Sequence, residues 1–223
     1  MERSVLLLYM SPFGKNPNIH TQTNEAAVLE LKKHKEGPDC ILALCSELVR
    51  TSPTVHLSDG KTCTTVEYFR DVFLPSAGIP AERLVVIPVP DSMDDKAQFR
   101  AISLLLGKIE AEDTLSDLSG GMRDTAMLLV TAARCMRDLR NVETRRVIYS
   151  ELLPDGTSRI HDSSQLYSLF DLITAMDEFF STGTAQKLKG YLWSEGESDP
   201  ALHTLLACIN QFSDDLALCR VQA

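Results

Sequence analysis

The chain lacks the common signatures of nucleotide and metal chemistry. No Gly-Lys-Ser/Thr follows its paired glycines, and its glycine spacing nowhere makes the dinucleotide fingerprint. It has no Cys-x-x-Cys pair and no His-Glu-x-x-His, and His20, His34, His56, His161 and His203 show no metal-ligand spacing. No apolar run approaches the roughly 18 residues of a membrane span. The opening "MERSVLLLYM" is too short for a signal peptide, and no cleavage-site pattern follows it. An excess of positive charge is also missing. Twenty-two Lys and Arg stand against 31 Asp and Glu, a net charge of −9. That balance argues against a chain that coats itself in long nucleic acid. It leaves room for a small anionic ligand, which needs only a few local donors. The six cysteines, at 40, 45, 63, 135, 208 and 219, support neither a zinc site nor a disulfide framework. Cys40, Cys45 and Cys135 sit inside apolar stretches and read as buried thiols in a reducing cytoplasm.

What remains is an ordinary globular composition, 44% hydrophobic and 24% charged over 223 residues. That length suits one α/β domain with an appendage. "SVLLLYM" (4–10), "DCILALCS" (39–46), "RLVVIPVP" (83–90), "TLSDLS" (114–119) and "ETRRVIYSEL" (143–152) read as strands. Helical patterns lie between them at 24–34, in "TVEYFRDVFLPSAG", at 95–112 and at 121–140, with an exposed hairpin-like excursion around 51–65. The alternation predicts an α/β fold: a Rossmann-like parallel sheet with helices on both faces. From about Gln165 the pattern turns helical without strands. The expected division is an α/β domain over 1–163 and a helical extension over 164–223. The last helical pattern stops without a capping glycine or polar tail, as expected of a piece of a longer protein; a natural C-terminal helix is the alternative.

Ligands in such sheets bind beyond the carboxyl ends of the strands, at a switch in strand order. That rule singles out the loops 11–18, 46–54, 90–95 and 119–124. The last is the most informative. "DLSGGMRD" passes from a strand through Gly120 and Gly121 into a long helix. Glycines there let the backbone turn sharply and approach a ligand. The helix start offers unpaired N–H groups and the positive end of a dipole. Ser119 can cap the helix or donate its hydroxyl to a ligand. Arg123 adds a phosphate-matched fork at a place where a cation opposes the dipole. Asp124 can neutralise that cation, and a tight turn that binds nothing accounts for the glycines equally simply. The loop "SPFGKNPN" supplies Ser11, Lys15, Asn16 and Asn18 after the first strand, a composition that inert surface loops share.

Taken together, these features resemble the CARF domain, the CRISPR-associated Rossmann-fold sensor of cyclic oligoadenylates. The resemblance rests on the first strand and its Ser/Asn loop, on the D-x-[S/T]-x-G-x-R turn formed by Asp117, Ser119, Gly121 and Arg123, and on the tail "LYSLFDLITAMDEFFSTGTAQKLKGYL". That tail is similar to the segment leading toward the effector in the CARF–HEPN ribonuclease branch. The resemblance implies a regulatory domain of a type III CRISPR antiviral effector. It would bind cyclic tetra- or hexa-adenylate across the two-fold axis of a homodimer and switch on a fused effector. The binding residues it implies are Ser11, Pro12, Phe13, Gly14, Lys15, Asn16 and Asn18 in the first loop, Ser46 and Glu47 after the second strand, and Ser119, Gly120, Gly121, Met122, Arg123 and Asp124 in the glycine turn. No metal or other cofactor is implied. The alternative is a self-limiting ring nuclease that slowly opens the ring by aligning a ribose hydroxyl with its phosphate; Ser11, Lys15 and Arg123 are then the groups to suspect. A Rossmann-like transcription regulator is disfavoured by the acidic charge, and a nucleotide-dependent enzyme by the missing glycine-rich loop after the first strand. No effector active site is found. The one Arg-x4–6-His spacing of the HEPN type, Arg50 to His56, is interrupted by Pro53.

Overall fold

The computed structural model describes residues 4–13, 22–34, 37–109, 113–121, 123–153, 155, 157–195 and 200–221. They divide into two compact units, Met1–Ser164 and Gln165–Ala223.

In the first unit the chain runs through β1 (Ser4–Tyr9), α1 (Thr23–Lys33), β2 (Cys40–Cys45) and a short α2 (Glu47–Thr51). β3 (Val55–His56) and β4 (Thr62–Cys63) pair as a small antiparallel ribbon, where the sequence predicts a hairpin-like excursion. A helical stretch follows as α3 (Thr65–Tyr68), a π-helical segment Phe69–Phe73 and α4 (Leu74–Ser76). Pro75 has no N–H to give the preceding turn, and the helix widens just ahead of it. Thr64 caps this stretch, accepting from the Glu67 N–H at 3.2 Å while the Glu67 carboxylate accepts from the Thr64 N–H at 2.8 Å. Then come β5 (Leu84–Pro88), α5 (Asp95–Lys108), β6 (Asp113–Asp117), α6 (Arg123–Arg140), β7 (Glu143–Leu152) and β8 (Ser158–Asp162).

The six-stranded sheet has the order β5-β2-β1-β6-β7-β8. All pairs are parallel except the last, β7 with β8. This is the α/β, Rossmann-like architecture expected. β8 is the strand the sequence does not announce. Only Ile160 of "SRIHD" packs against the core, so almost no apolar pattern marks it. The chain lays β1, β2 and β5 outward in one direction. It then crosses back through α5 to place β6 on the other side of β1, which makes the β1–β6 boundary the switch point.

β1 is buried along its whole length and feeds both faces. Leu6, Leu8 and Met10 join Val28, Leu31 and Phe69 on one side. Val5, Leu7 and Tyr9 join Leu105, Leu129 and Met136 on the other. Alternation at period two, with apolar residues at nearly every position, is what a central strand covered by helices on both faces requires. The second unit holds α7 (Ser164–Thr182), α8 (Gln186–Glu195) and α9 (Pro200–Val221). Within it, Phe179 stacks on Phe212 with ring centroids 5.9 Å apart, and the Ala185 N–H donates to Ser213 Oγ at 3.1 Å. Among the described residues no helix is long and apolar enough to cross a membrane.

Candidate functional site

The carboxyl ends of β1 and β6 carry a connected set of buried polar groups. Asp117, the last residue of β6, is fully buried. Its carboxylate accepts from Asn24 Nδ2 at 2.7 Å, from the Ser119 N–H at 2.9 Å and from the Ser119 hydroxyl. Burial pushes the Asp117 carboxyl up to about 6 against the pull of these three donors. Asn24, in the first turn of α1, also donates to the Tyr9 carbonyl at 3.2 Å and accepts from the Ser11 N–H at 3.0 Å. One asparagine therefore ties together the ends of β1 and β6 and the start of α1. Ser119 is equally occupied: its hydroxyl accepts from the Ser150 N–H of β7 at 2.6 Å. Its role is to join β6 to β7 rather than to cap α6.

The two glycines are required by this packing. A side chain on Gly120 would overlap the Tyr9 carbonyl. Gly121 has φ of 80°, in the left-handed region, and its missing Cβ makes room for Thr125 and the Tyr9 ring. The Thr125 hydroxyl closes the turn by donating to the Gly120 carbonyl at 3.1 Å.

Beside this knot lies a cavity of about 590 Å³, lined among others by Tyr9, Ser11, Pro12, Ser46, Ser119 and Gly121. Thr23, Leu48, Asp91, Met93, Thr125 and Leu152 complete its wall. Ser11 is fixed to the first turn of α1: its hydroxyl shares a 2.7 Å bond with the Thr23 hydroxyl, and its carbonyl accepts from Gln22 Nε2 at 2.7 Å. Asp91, in the loop after β5, accepts from the Leu48 N–H at 2.9 Å. That bond first, then the Ser46 side chain, hold its carboxyl below the usual range. Burial raises the Tyr9 hydroxyl, with Ser46 acting the other way. The pocket is thus mostly apolar, with a few hydroxyls at fixed places, the usual make-up of a small-ligand site. Among the described lining residues Asp91 is the one formal charge. Among the described residues no cluster of three or more His, Cys, Asp or Glu could hold a metal ion.

Of the residues singled out from sequence, Ser11, Pro12, Ser46, Ser119 and Gly121 come together around the cavity, and Gly120 shapes it from behind. Phe13 stacks edge-on against Tyr68, with centroids 5.0 Å apart, and Glu47 is exposed in α2. Arg123 and Asp124 are exposed in the first turn of α6 and do not line the cavity. Gly14, Lys15, Asn16, Asn18 and Met122 lie outside the described residues. Arg50 is anchored by its Nε to the Cys45 carbonyl at 3.2 Å, while His56 sits on β3. Sequence reasoning missed Asn24, Thr23 and Asp91. An asparagine in a helical first turn, where its propensity is poor, was the available signal for Asn24.

No family model matches the chain, and no match is found among curated proteins. One similar solved structure is the microcin C7 biosynthetic enzyme MccB in complex with N-formylated MccA, with a TM-score of 0.33 and 13% identity. The match covers 69% of this chain and 37% of that one. So distant a likeness carries nothing about this chain's chemistry.

Proposed function

We propose that this chain is a cyclic-oligoadenylate-sensing regulatory domain of a cytoplasmic type III CRISPR antiviral effector, a CARF domain. Two copies take a ring of tetra- or hexa-adenylate across their two-fold axis and pass the signal to a fused effector. The supporting observation is the position of the Asp117-x-Ser119-x-Gly121-x-Arg123 turn. It lies at the switch point of the sheet, beside a cavity that the Ser11 loop and Ser46 also line. The apolar wall of Tyr9, Leu48, Met93 and Leu152 suits a purine base. The hydroxyls of Ser46 and Thr23 suit its polar edge. Arg123, two residues beyond Gly121 and exposed in the first turn of α6, is a described cation that can reach a phosphate. Among the described lining residues Asp91 is the one charge, so the phosphates would be met by cations outside that lining, such as Arg123.

Calorimetric titration with cyclic tri-, tetra- and hexa-adenylate, with ring integrity followed by chromatography, tests the reading. Saturable binding of one ring per two chains is expected, weakened by Arg123→Ala by roughly 1.5–3 kcal/mol per site. Absence of binding by any ring at tens of micromolar overturns the reading. Slow opening of a bound ring would make the chain a self-limiting ring nuclease.

A further inference from the structure

One corner of the cavity offers a ligand only acceptors. Asp91 stands there, in the loop after β5, and its Oδ1 takes the Leu48 N–H at 2.9 Å. Ser46 bonds through its side chain both to this carboxylate and to the Tyr9 hydroxyl. An ionised carboxylate has no proton to give, so the Ser46 hydroxyl donates to Asp91, and its oxygen accepts from Tyr9. Both hydroxyl protons are thereby engaged within the wall. The Glu47 N–H adds a weaker bond to the same carboxylate, and the Arg50 charge acts on it least. Three of its roughly four lone-pair sites are then filled from the protein. Asp91 is exposed and lines the cavity, so the remaining site is open to a ligand.

The chemistry of that site follows from its neighbours. A phosphate is repelled by the charge. A carbonyl brings a further acceptor to a corner whose protons are all engaged. An N–H is required, and there is room for one. Among purines this selects the single exocyclic amine of adenine over the paired N1–H and N2–H of guanine. It rejects hypoxanthine, which turns a carbonyl toward the place of the amine. A site built around a donor discriminates strongly against an analogue that lacks it, because the acceptor is left unpaired.

We infer that Asp91 selects the base in this cavity, accepting the exocyclic amine of adenine at its remaining carboxylate site. The inference rests on the reading above that the cavity takes a purine. It adds an orientation. β5 and β6 are three strand spacings apart, roughly 14 Å across the sheet. The amine edge of the base then lies at the β5 end of the cavity, and the phosphates are left to the glycine turn after β6.

Equilibrium dialysis of the full chain against the monophosphates of adenosine, inosine, purine riboside and guanosine tests it, with cyclic tetra- and hexa-adenylate and their inosine counterparts run alongside. The wild type is expected to prefer the adenine form over the inosine and purine riboside forms by roughly tenfold or more. Asp91→Asn keeps an oxygen for Leu48 and Ser46 and turns an NH2 to the cavity, so the inosine form should overtake the adenine form. Ser46→Ala frees a second site on the carboxylate, and guanosine monophosphate should gain on the adenine form. A role for Asp91 confined to holding the start of α2 would weaken every ligand alike and reverse nothing. Equal binding of the adenine and inosine forms by the wild type overturns the inference. So does an unchanged preference in Asp91→Asn, or guanosine monophosphate binding more tightly than the adenine form. If rings bind without regard to the amine, the sensor reading stands and the inference falls. If no ring binds but the monophosphates show the preference and its reversal, the inference stands and the sensor reading falls. Binding of neither overturns both.

Discussion

β1 and β6 lie side by side at the centre of the sheet, both fully buried, and they are built from opposite materials. β1 reads "SVLLLY" and puts an apolar residue at nearly every position. β6 reads "DTLSD", with Leu115 as its sole large apolar side chain. Beyond the ladder bonds that both strands share, the side chains of the first are held chiefly by apolar burial. The second is held by partners. Thr114 meets the Glu143 carbonyl and the Thr144 hydroxyl, each at 3.3 Å, while Asp113 pairs with Arg145 and Asp117 gathers Asn24 and Ser119. A buried polar group is costly unless it is bonded. The polar strand can therefore lie at the switch point only because α1 and β7 bring it donors. The difference also separates the jobs of the two strands: β1 anchors the two cores, and β6 organises the mouth of the cavity.

Gly120→Ala attacks the join between the two strands and should have the largest effect. The added methyl has no space beside the Tyr9 carbonyl, so the strand ends must part. A loss of more than about 4 kcal/mol, or failure to fold, is expected in denaturant unfolding. Leu7→Ala breaks the apolar strand in its own terms and should cost about 2–5 kcal/mol by leaving a cavity beneath α6. Asp117→Ala breaks the polar strand in its terms, stranding Asn24 and Ser119 as unpaired donors, at about 2–4 kcal/mol.

Asp117 also gives the comparison a pH axis. Its carboxyl is raised from 3.8 to about 6 in the folded chain, so its contribution to stability is complete below about pH 4 and is lost as pH rises through 6. Glu25, also raised by burial, acts in the same direction, whereas Asp91 and Asp162 are held low and act only at more acid pH. Unfolding midpoints measured from pH 5 to 8 should fall for the wild type and fall less for Asp117→Ala; equal slopes would contradict the assignment. Ser116→Ala should do least. The Ser116 hydroxyl is buried in β6 and has no hydrogen-bond partner among the described residues. Its removal should be neutral or stabilising by up to about 1 kcal/mol, since an unbonded buried hydroxyl contributes only a desolvation cost. A marked loss would mean that polarity itself, rather than pairing, supports β6.

Much of the architecture is legible from residue order. Runs such as "SVLLLY" and "CILALC", apolar at nearly every position, have no stable place except between two helical layers, and the alternation with helices leads to the parallel sheet. The glycine turn is equally visible as a turn. Its partners are not. Nothing in the neighbourhood of Asn24 says that it will meet Asp117, 93 positions away. Nor does the local sequence tell that Gly120 is small because the Tyr9 carbonyl passes beside it. β8, with its single packed side chain, exists because β7 offers an edge, and Asp91 joins the cavity wall only once β5 lies next to β2. Periodicity is a local property, set by the geometry of one strand or helix, and it suffices for elements and layers. Which polar groups meet at the mouth of the sheet depends on strand order. Strand order is decided when the crossover through α5 sets β6 beside β1, and the energy of that choice resides in contacts between residues that the chain keeps far apart.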